Sequence, residues 1–167
     1  MTTERNLILN DAQIRQKIRR MAYQIFENNF HEKVVVLAGI DGQGHGLAQL
    51  IEKELSNMSS LEVVLAKVTL DKQLPQKSEV VLDKKIDDLK KKVIVIVDDV
   101  LNTGRTLAYA MKPFLSIEVK KIEVAVLVNR SNPLFPIQPN YTGYDLSTTL
   151  ADHVEVVLGK KSAVYLH

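Results

Sequence analysis

Residues 93–97 read Val-Ile-Val-Ile-Val, with nothing polar among them. A strand with one wet face alternates apolar and polar residues, because successive side chains point to opposite sides. A run that is apolar at every position instead predicts a strand buried on both faces, in a parallel sheet covered by helices above and below. Residues 34–38 and 122–128 have much the same character. Between these runs lie segments of helical period. In residues 10–29, Ile14, Ile18, Met21 and Ile25 recur on one helical face, and Asn10 stands at the start with Gln13 three residues on, as in a capping box. Further helices are expected over 47–55 and 105–115, and a further strand over 61–70. Strands alternating with helices predict an α/β fold of three layers around a mostly parallel sheet.

The chain of 167 residues is one domain's worth, and 46% hydrophobic residues suffice for a core. Residues 71–92 are charged, contain Pro75, and read as an exposed excursion. A structureless connector of that length in a compact domain tends to be a lid. After Pro133, Pro136 and Pro139, short strand-like pieces at 141–146, 154–158 and 163–166 predict a small C-terminal β elaboration. There is no cysteine, which removes disulfides, thiolate nucleophiles and Cys-ligated zinc together. A net charge of +2 does not by itself call for nucleic acid. The polar N-terminal residues carry no signal-peptide run, and no apolar stretch approaches a membrane span. A cytoplasmic protein without membrane contact is the expectation.

The chemistry is carried by the residues directly after the Val93–Val97 run: Asp98-Asp99-Val100-Leu101-Asn102-Thr103-Gly104-Arg105-Thr106. In open α/β sheets, ligands bind outside the carboxyl ends of the strands. A turn that opens a helix aims free backbone N–H groups at one point and favours an anion there. Gly104 allows close approach, and Thr103 and Thr106 add hydroxyl donors. This is a cradle for a phosphate monoester. Two carboxylates beside it would repel that anion, so they need another task, such as accepting hydrogen bonds from vicinal sugar hydroxyls or holding Mg²⁺ through water. An acidic pair after an apolar strand also opens phospho-receiver domains. A receiver, however, predicts neither the two earlier strand–helix units nor the Thr-Gly-x-Thr turn.

This segment resembles the 5-phosphoribosyl-1-pyrophosphate (PRPP) motif of type I phosphoribosyltransferases. The order and spacing of Leu37-Ala38-Gly39-Ile40, residues 93–106, Ala125 to Arg130, Pro136-Ile137 and Tyr141-Thr142-Gly143 are similar to the pyrimidine operon attenuator and uracil phosphoribosyltransferase family. The resemblance implies that Asn102, Thr103, Gly104, Arg105 and Thr106 hold the 5-phosphate, and that Asp98 and Asp99 hold the ribose hydroxyls. Mg²⁺ is implied as cofactor, contacted by those two acids indirectly. The implied reaction transfers the phosphoribosyl group to a nucleobase, uracil foremost, with release of pyrophosphate and without a covalent nucleophile. Gly39, Ile40, Asp41, Gly42 and Gln43 match the family's pyrophosphate loop, and residues 71–92 its flexible hood. Asn129, Tyr141 and Thr142 are the implied base contacts, Tyr141 by stacking and Thr142 through its backbone. A homodimer or higher homo-oligomer is implied by analogy.

Two departures fall on the pyrophosphate end. Relatives carry a basic residue in the loop where this chain has Asp41 and Gln43, and an arginine in the hood where it has Lys72, Lys77, Lys84 and Lys85. Lysines on such a loop are ordinarily solvated. These departures keep open a catalytically weak PRPP or nucleotide sensor. An RNA-binding attenuation regulator is a further alternative, for which Arg15, Lys17, Arg19 and Arg20 offer a basic face. Against it, the later loop of Asn132, Pro133, Leu134 and Phe135, with Gln138 beyond, carries no charge.

Overall fold

The structure is a computed structural model and describes residues 4–167; residues 1–3, which the one-domain expectation included, lie outside the described residues. The strands and helices alternate: α1 (Asp11–Asn29), β2 (Val34–Ile40), α2 (Gln43–Met58), β3 (Glu62–Thr69), β5 (Val93–Leu101), α3 (Arg105–Ala110), α4 (Lys112–Leu115) and β6 (Lys121–Asn129). With β4 (Val81–Leu82) and β7 (Tyr141–Asp145) they build a six-stranded sheet of order β4-β3-β2-β5-β6-β7. Every pairing is parallel except that of β4 with β3.

The unbroken apolar runs have the expected cause. Along β5, Val93, Val95 and Val97 pack with Ile14, Ile18, Leu47 and Ile51 of α1 and α2. Ile94 and Ile96 face the other way, onto Leu107, Ala110 and Phe114. Both faces are buried, so the sheet is the middle of three layers. Each such side chain contributes about 1.5–3 kcal/mol of burial. At the start of α1, Asn10 accepts the Gln13 N–H at 2.9 Å while the Gln13 side chain accepts the Asn10 N–H at 2.9 Å, which completes the capping box.

Several boundaries differ from the sequence reading, each for a physical reason. α2 begins at Gln43 rather than residue 47, so Gly44 and Gly46 are helical and the expected long glycine turn shrinks to Asp41–Gly42. The helix expected over 105–115 is two, broken at Met111, because Pro113 has no N–H to continue the ladder. β5 runs on to Leu101, so Asp98 and Asp99 are strand residues. Half of the 71–92 excursion is ordered against the sheet: β4 pairs with β3, and a 3₁₀ turn at Ile86–Leu89 buries Leu89. The C-terminal elaboration is a three-stranded sheet of β8 (Val154–Val157), β9 (Ala163–Leu166) and an N-terminal strand, β1 (Asn6–Leu9). Four residues of β1 are too few to show a period, and their partner lies at the far end of the chain.

Candidate active site

From β2 the chain steps to β3 on one side, and β5 then enters on the other. The switch point of the sheet therefore lies between the carboxyl ends of β2 and β5, the place where open α/β sheets take ligands. A cavity of about 280 Å³ opens at the carboxyl end of β5, lined by Lys72, Asp98, Val100, Leu101, Asn102, Thr103, Gly104, Arg105, Thr106 and Leu107. The structure thus brings the acid and the whole expected phosphate loop onto one cavity.

The loop keeps its donors. The Thr103 carbonyl accepts the N–H groups of Leu134 and Phe135 at 2.9 and 3.0 Å, which ties the turn to the segment after β6. The Arg105 N–H leans on Thr103 Oγ1 at 3.3 Å. Among the described residues, the amides of Thr103, Gly104 and Thr106 donate to no other group. Gly104 has φ 87°, a left-handed backbone that side chains rarely tolerate, and a Cβ there would lie 3.2 Å from Ile137. The free donors and the Arg105 guanidinium make the turn a receptor for an anion.

Asp98 is the buried member of the acidic pair, 3% exposed. Its Oδ1 accepts the Asp99 N–H at 2.9 Å, and Lys72 Nζ stands 3.5 Å from it. Burial, with the Asp99 charge beside it, pushes the Asp98 carboxyl up to about 8, against the pull of the Lys72 ammonium. Asp99 is half-buried, does not line the cavity, and its Oδ1 accepts the Val100 N–H at 2.9 Å. The pair is unequal because neighbouring strand residues face opposite sides.

A second cavity of about 240 Å³ shares Leu101 and Asn102 with the first and continues to Asn129, Ser131, Asn132, Pro133, Ile137, Gln138 and Pro139. Of the three expected base contacts, Asn129 alone lines it. Asn129 donates to Asp145 Oδ1 at 3.1 Å and accepts the Ser131 N–H at 3.0 Å, so it shapes the wall. Tyr141 is a correction: it is 1% exposed and packs in the core, where no base can stack on it. Its hydroxyl donates to the buried Glu123 Oε2 at 2.9 Å, with Asn28 and Asn29 donating to it, and burial holds its acidity far down. Thr142 is a second correction, since its carbonyl already accepts from Arg20 Nη2 at 2.9 Å and it lies outside the cavity. Tyr141→Phe is accordingly expected to cost about 1–3 kcal/mol by leaving the buried Glu123 Oε2 without its donor, without altering base preference. Denaturant melts beside a substrate panel check both halves.

The expected pyrophosphate loop is also redistributed. Ile40 is buried in the core. A Cβ on Gly39 would lie 2.6 Å from His45 Cα, and one on Gly44 would lie 2.8 Å from Asp98 Oδ1. These glycines therefore serve the packing of α2 on β2 and β5 rather than ligand approach. Gln43 is turned to the C-terminal sheet, its Oε1 accepting the Leu158 N–H at 3.1 Å. Gly42, with φ 96° and open space around it, and the exposed Asp41 remain as the turn over β2.

Sequence reasoning missed two things. Lys72 read as a solvated loop lysine, and only the fold brings it into the cavity. The wall at Ser131, Asn132, Ile137, Gln138 and Pro139 falls in the segment after Val128 from which a base pocket is expected, but none of these residues was singled out individually. The cations of α1 also have partners within the chain, although the Arg15 and Arg19 side chains stay 70% and 66% exposed. Arg15 pairs with Asp11 at 2.9 Å and Arg19 with Glu54 at 3.6 Å, Lys17 sits over the Tyr144 ring, and Arg20 holds the Thr142 and Gly143 carbonyls.

A sheet of this order with an acid and a donor-rich turn at its switch point defines a phosphoribosyl-binding fold, and residues 5–159 match the model of the phosphoribosyl transferase domain. The chain belongs to that family and is a phosphoribosyltransferase. It is 31% identical to the bifunctional protein PyrR of Macrococcus caseolyticus over 98% of this chain and 99% of that one. It is 31% identical to the PyrR of Fusobacterium nucleatum over 99% and 100% respectively. The fold is shared with the hypoxanthine phosphoribosyltransferase of Trypanosoma cruzi, at TM-score 0.74 and 15% identity over 84% of this chain and 81% of that one. A hypoxanthine-guanine phosphoribosyltransferase of Bacillus anthracis gives TM-score 0.70 and 20% identity over 85% and 84%. No helix among the described residues is long and apolar enough to cross a membrane.

Proposed function

We propose that the chain transfers the 5-phosphoribosyl group of PRPP to a nucleobase, uracil foremost, with release of diphosphate. One observation carries this reading: Asp98 and the unspent amides of Thr103, Gly104 and Thr106 share a cavity that runs on into a second, uncharged one. In this reading the turn grips the 5-phosphate, with Arg105 adding charge. Asp98 accepts the ribose hydroxyls, with Asp99 beside it, and the Asp41–Gly42 turn faces the diphosphate. The amide-rich second cavity, with Asn102, Asn129 and Gln138, receives a neutral base that both donates and accepts hydrogen bonds.

The donors that the site offers a cation are the hard carboxylate oxygens of Asp98 and Asp99, the kind that Mg²⁺ takes; no cluster of three metal-ligating side chains forms among the described residues, so the protein alone would not enclose the ion. Asp98 and Asp99 would hold it through water or the ribose hydroxyls, where it would offset diphosphate charge. The protein's own part is electrostatic. As the anomeric carbon gains positive charge, a fixed carboxylate stabilises that state more than the ground state. By the resemblance, a cytoplasmic homodimer or higher homo-oligomer is the proposed working form.

The test is incubation with PRPP, Mg²⁺ and uracil, hypoxanthine, guanine, xanthine or adenine in turn, with diphosphate detection. Uracil is expected to give the highest rate, and silence with all five defeats the proposal. Thermal stabilisation by PRPP with that silence would instead mark a sensor. An attenuation role in RNA binding stays the alternative reading: α1 keeps Arg15 and Arg19 largely exposed, in surface ion pairs too weak to withhold them from an RNA phosphate.

A further inference from the structure

Residues 129–132, at the end of β6, meet the second cavity unequally. Asn129, Ser131 and Asn132 line it, and Arg130 among them does not. Arg130 turns inward instead: it is 7% exposed, the one buried cation among the described residues. A charge taken out of water is costly unless its hydrogen bonds are met. Among the described residues this one forms no ion pair. Its acceptors are neutral oxygens of one short segment. Nε donates to Thr148 Oγ1 at 2.9 Å, and Nη2 donates to the carbonyls of Thr149 and Asp152 at 3.2 and 2.6 Å.

Both ends of this tie are themselves fixed. The Arg130 N–H donates to the Leu101 carbonyl at 2.9 Å, so its backbone belongs to the sheet. On the far side, the Thr149 N–H donates to Asp152 Oδ2 at 2.7 Å and the Asp152 N–H to the Thr149 carbonyl at 3.2 Å, which closes the segment on itself. The Asn132 side chain donates to the same Thr148 hydroxyl at 3.4 Å. Between the two tied residues, Ser131 has φ 58°, a left-handed backbone that residues with a side chain rarely adopt. Such a conformation persists only where its surroundings over-determine it. Here Asn129 Oδ1 accepts the Ser131 N–H at 3.0 Å, while the residues on either side of Ser131 are held on Thr148. The polar wall of the cavity is thus set from behind.

We propose that Arg130 is the positioning residue of the base cavity. It touches no substrate; by tying the end of β6 to residues 148–152, it holds Ser131 and Asn132 toward the nucleobase. The proposal rests on the phosphoribosyl reading given above and deepens it, because base affinity then depends on a segment that lies outside the cavity. Diphosphate and sugar phosphate are held elsewhere, so their binding is independent of this tie.

The test is steady-state kinetics of wild type, Arg130→Gln, Arg130→Lys, Thr148→Val and Tyr141→Phe, varying PRPP and the base transferred fastest, expected to be uracil. Arg130→Gln should raise KM for the base at least about tenfold, the scale of a misplaced contact, and leave KM for PRPP within about twofold of wild type. Arg130→Lys should recover part of that loss. Thr148→Val keeps the arginine but removes the hydroxyl that accepts from Arg130 and Asn132, and it should raise KM for the base in the same direction. It also carries the test if Arg130→Gln does not fold. Tyr141→Phe loosens the fold away from the cavity and should keep both constants at wild-type values, which separates positioning from mere loss of stability. An unchanged KM for the base in folded Arg130→Gln or in Thr148→Val, or constants for both substrates that rise together, overturns the role of Arg130. Wild type that transfers to no base overturns the phosphoribosyl reading and this role with it.

Discussion

Asp98→Asn is expected to lower turnover by roughly 10²- to 10³-fold, the usual cost of removing one fixed group aimed at developing charge. The change is nearly isosteric, and asparagine Oδ1 can still accept the Asp99 N–H, so the strand end should survive. What disappears is the negative charge, together with its pH signature. Asp98 rises from 3.8 in the unfolded chain to about 8 in the fold, chiefly through burial. Between those values the folded protein holds a proton that the unfolded chain has released. Its contribution to stability is therefore complete below about pH 4 and is lost as pH rises through about 8. Asp98→Asn should flatten that slope and melt above wild type at pH 9. Ligand binding runs the opposite way. Sugar hydroxyls and Mg²⁺ call for the carboxylate, so wild-type affinity for PRPP should rise from pH 6 to 8 with release of a proton, and the variant should release none. Calorimetry in two buffers of different ionisation enthalpy measures that proton. An unchanged rate, or unchanged proton release, would remove Asp98 from the site.

Alanine at two neighbouring glycines of α2 should give opposite results. Gly46→Ala gains helix propensity worth up to about 1 kcal/mol and meets only Leu158 Cδ1 at 3.9 Å, so it should raise the melting temperature. Gly44→Ala has the same propensity gain, but its Cβ would lie 2.8 Å from Asp98 Oδ1 and 2.9 Å from the Val97 carbonyl. That carbonyl is backbone and cannot swing aside, so α2 or the end of β5 must move. Overpacking of this kind costs about 1–3 kcal/mol or more, which outweighs the gain. Because the displaced atom belongs to Asp98, PRPP binding should fall with stability, by at least tenfold, about the worth of a displaced charged hydrogen bond. Melting curves with and without PRPP compare the pair. Wild-type behaviour of Gly44→Ala would show that α2 does not press on the acid.

The contrast between these glycines shows where sequence reading stops. Gly39, Gly42, Gly44 and Gly46 form one glycine-rich stretch in the sequence, and a ligand-cradling loop is its natural interpretation. Tertiary packing separates them: Gly39 and Gly44 admit one backbone to another, Gly42 makes the turn, and Gly46 needs no glycine. Lys72 and Tyr141 follow the same rule. A lysine in a charged loop and a tyrosine in a short strand carry no local sign of their partners. Those partners, Asp98 and Glu123, were brought to them by the order of strands.

What the sequence alone determined are the features whose causes are local. The unbroken run at 93–97 demands two buried faces, Asn10 with Gln13 caps α1, and the Thr-Gly-x-Thr turn exposes its own amides. Each depends on residues a few positions apart, so periodicity and spacing reveal it. The tertiary structure alone decided that Asp98 and Asp99 are unequal, that Lys72 reaches Asp98, that Tyr141 is sealed in the core, and that the first and last strands share one sheet. Those outcomes arise between segments far apart in the chain, where burial and strand order, rather than local propensity, set which groups meet.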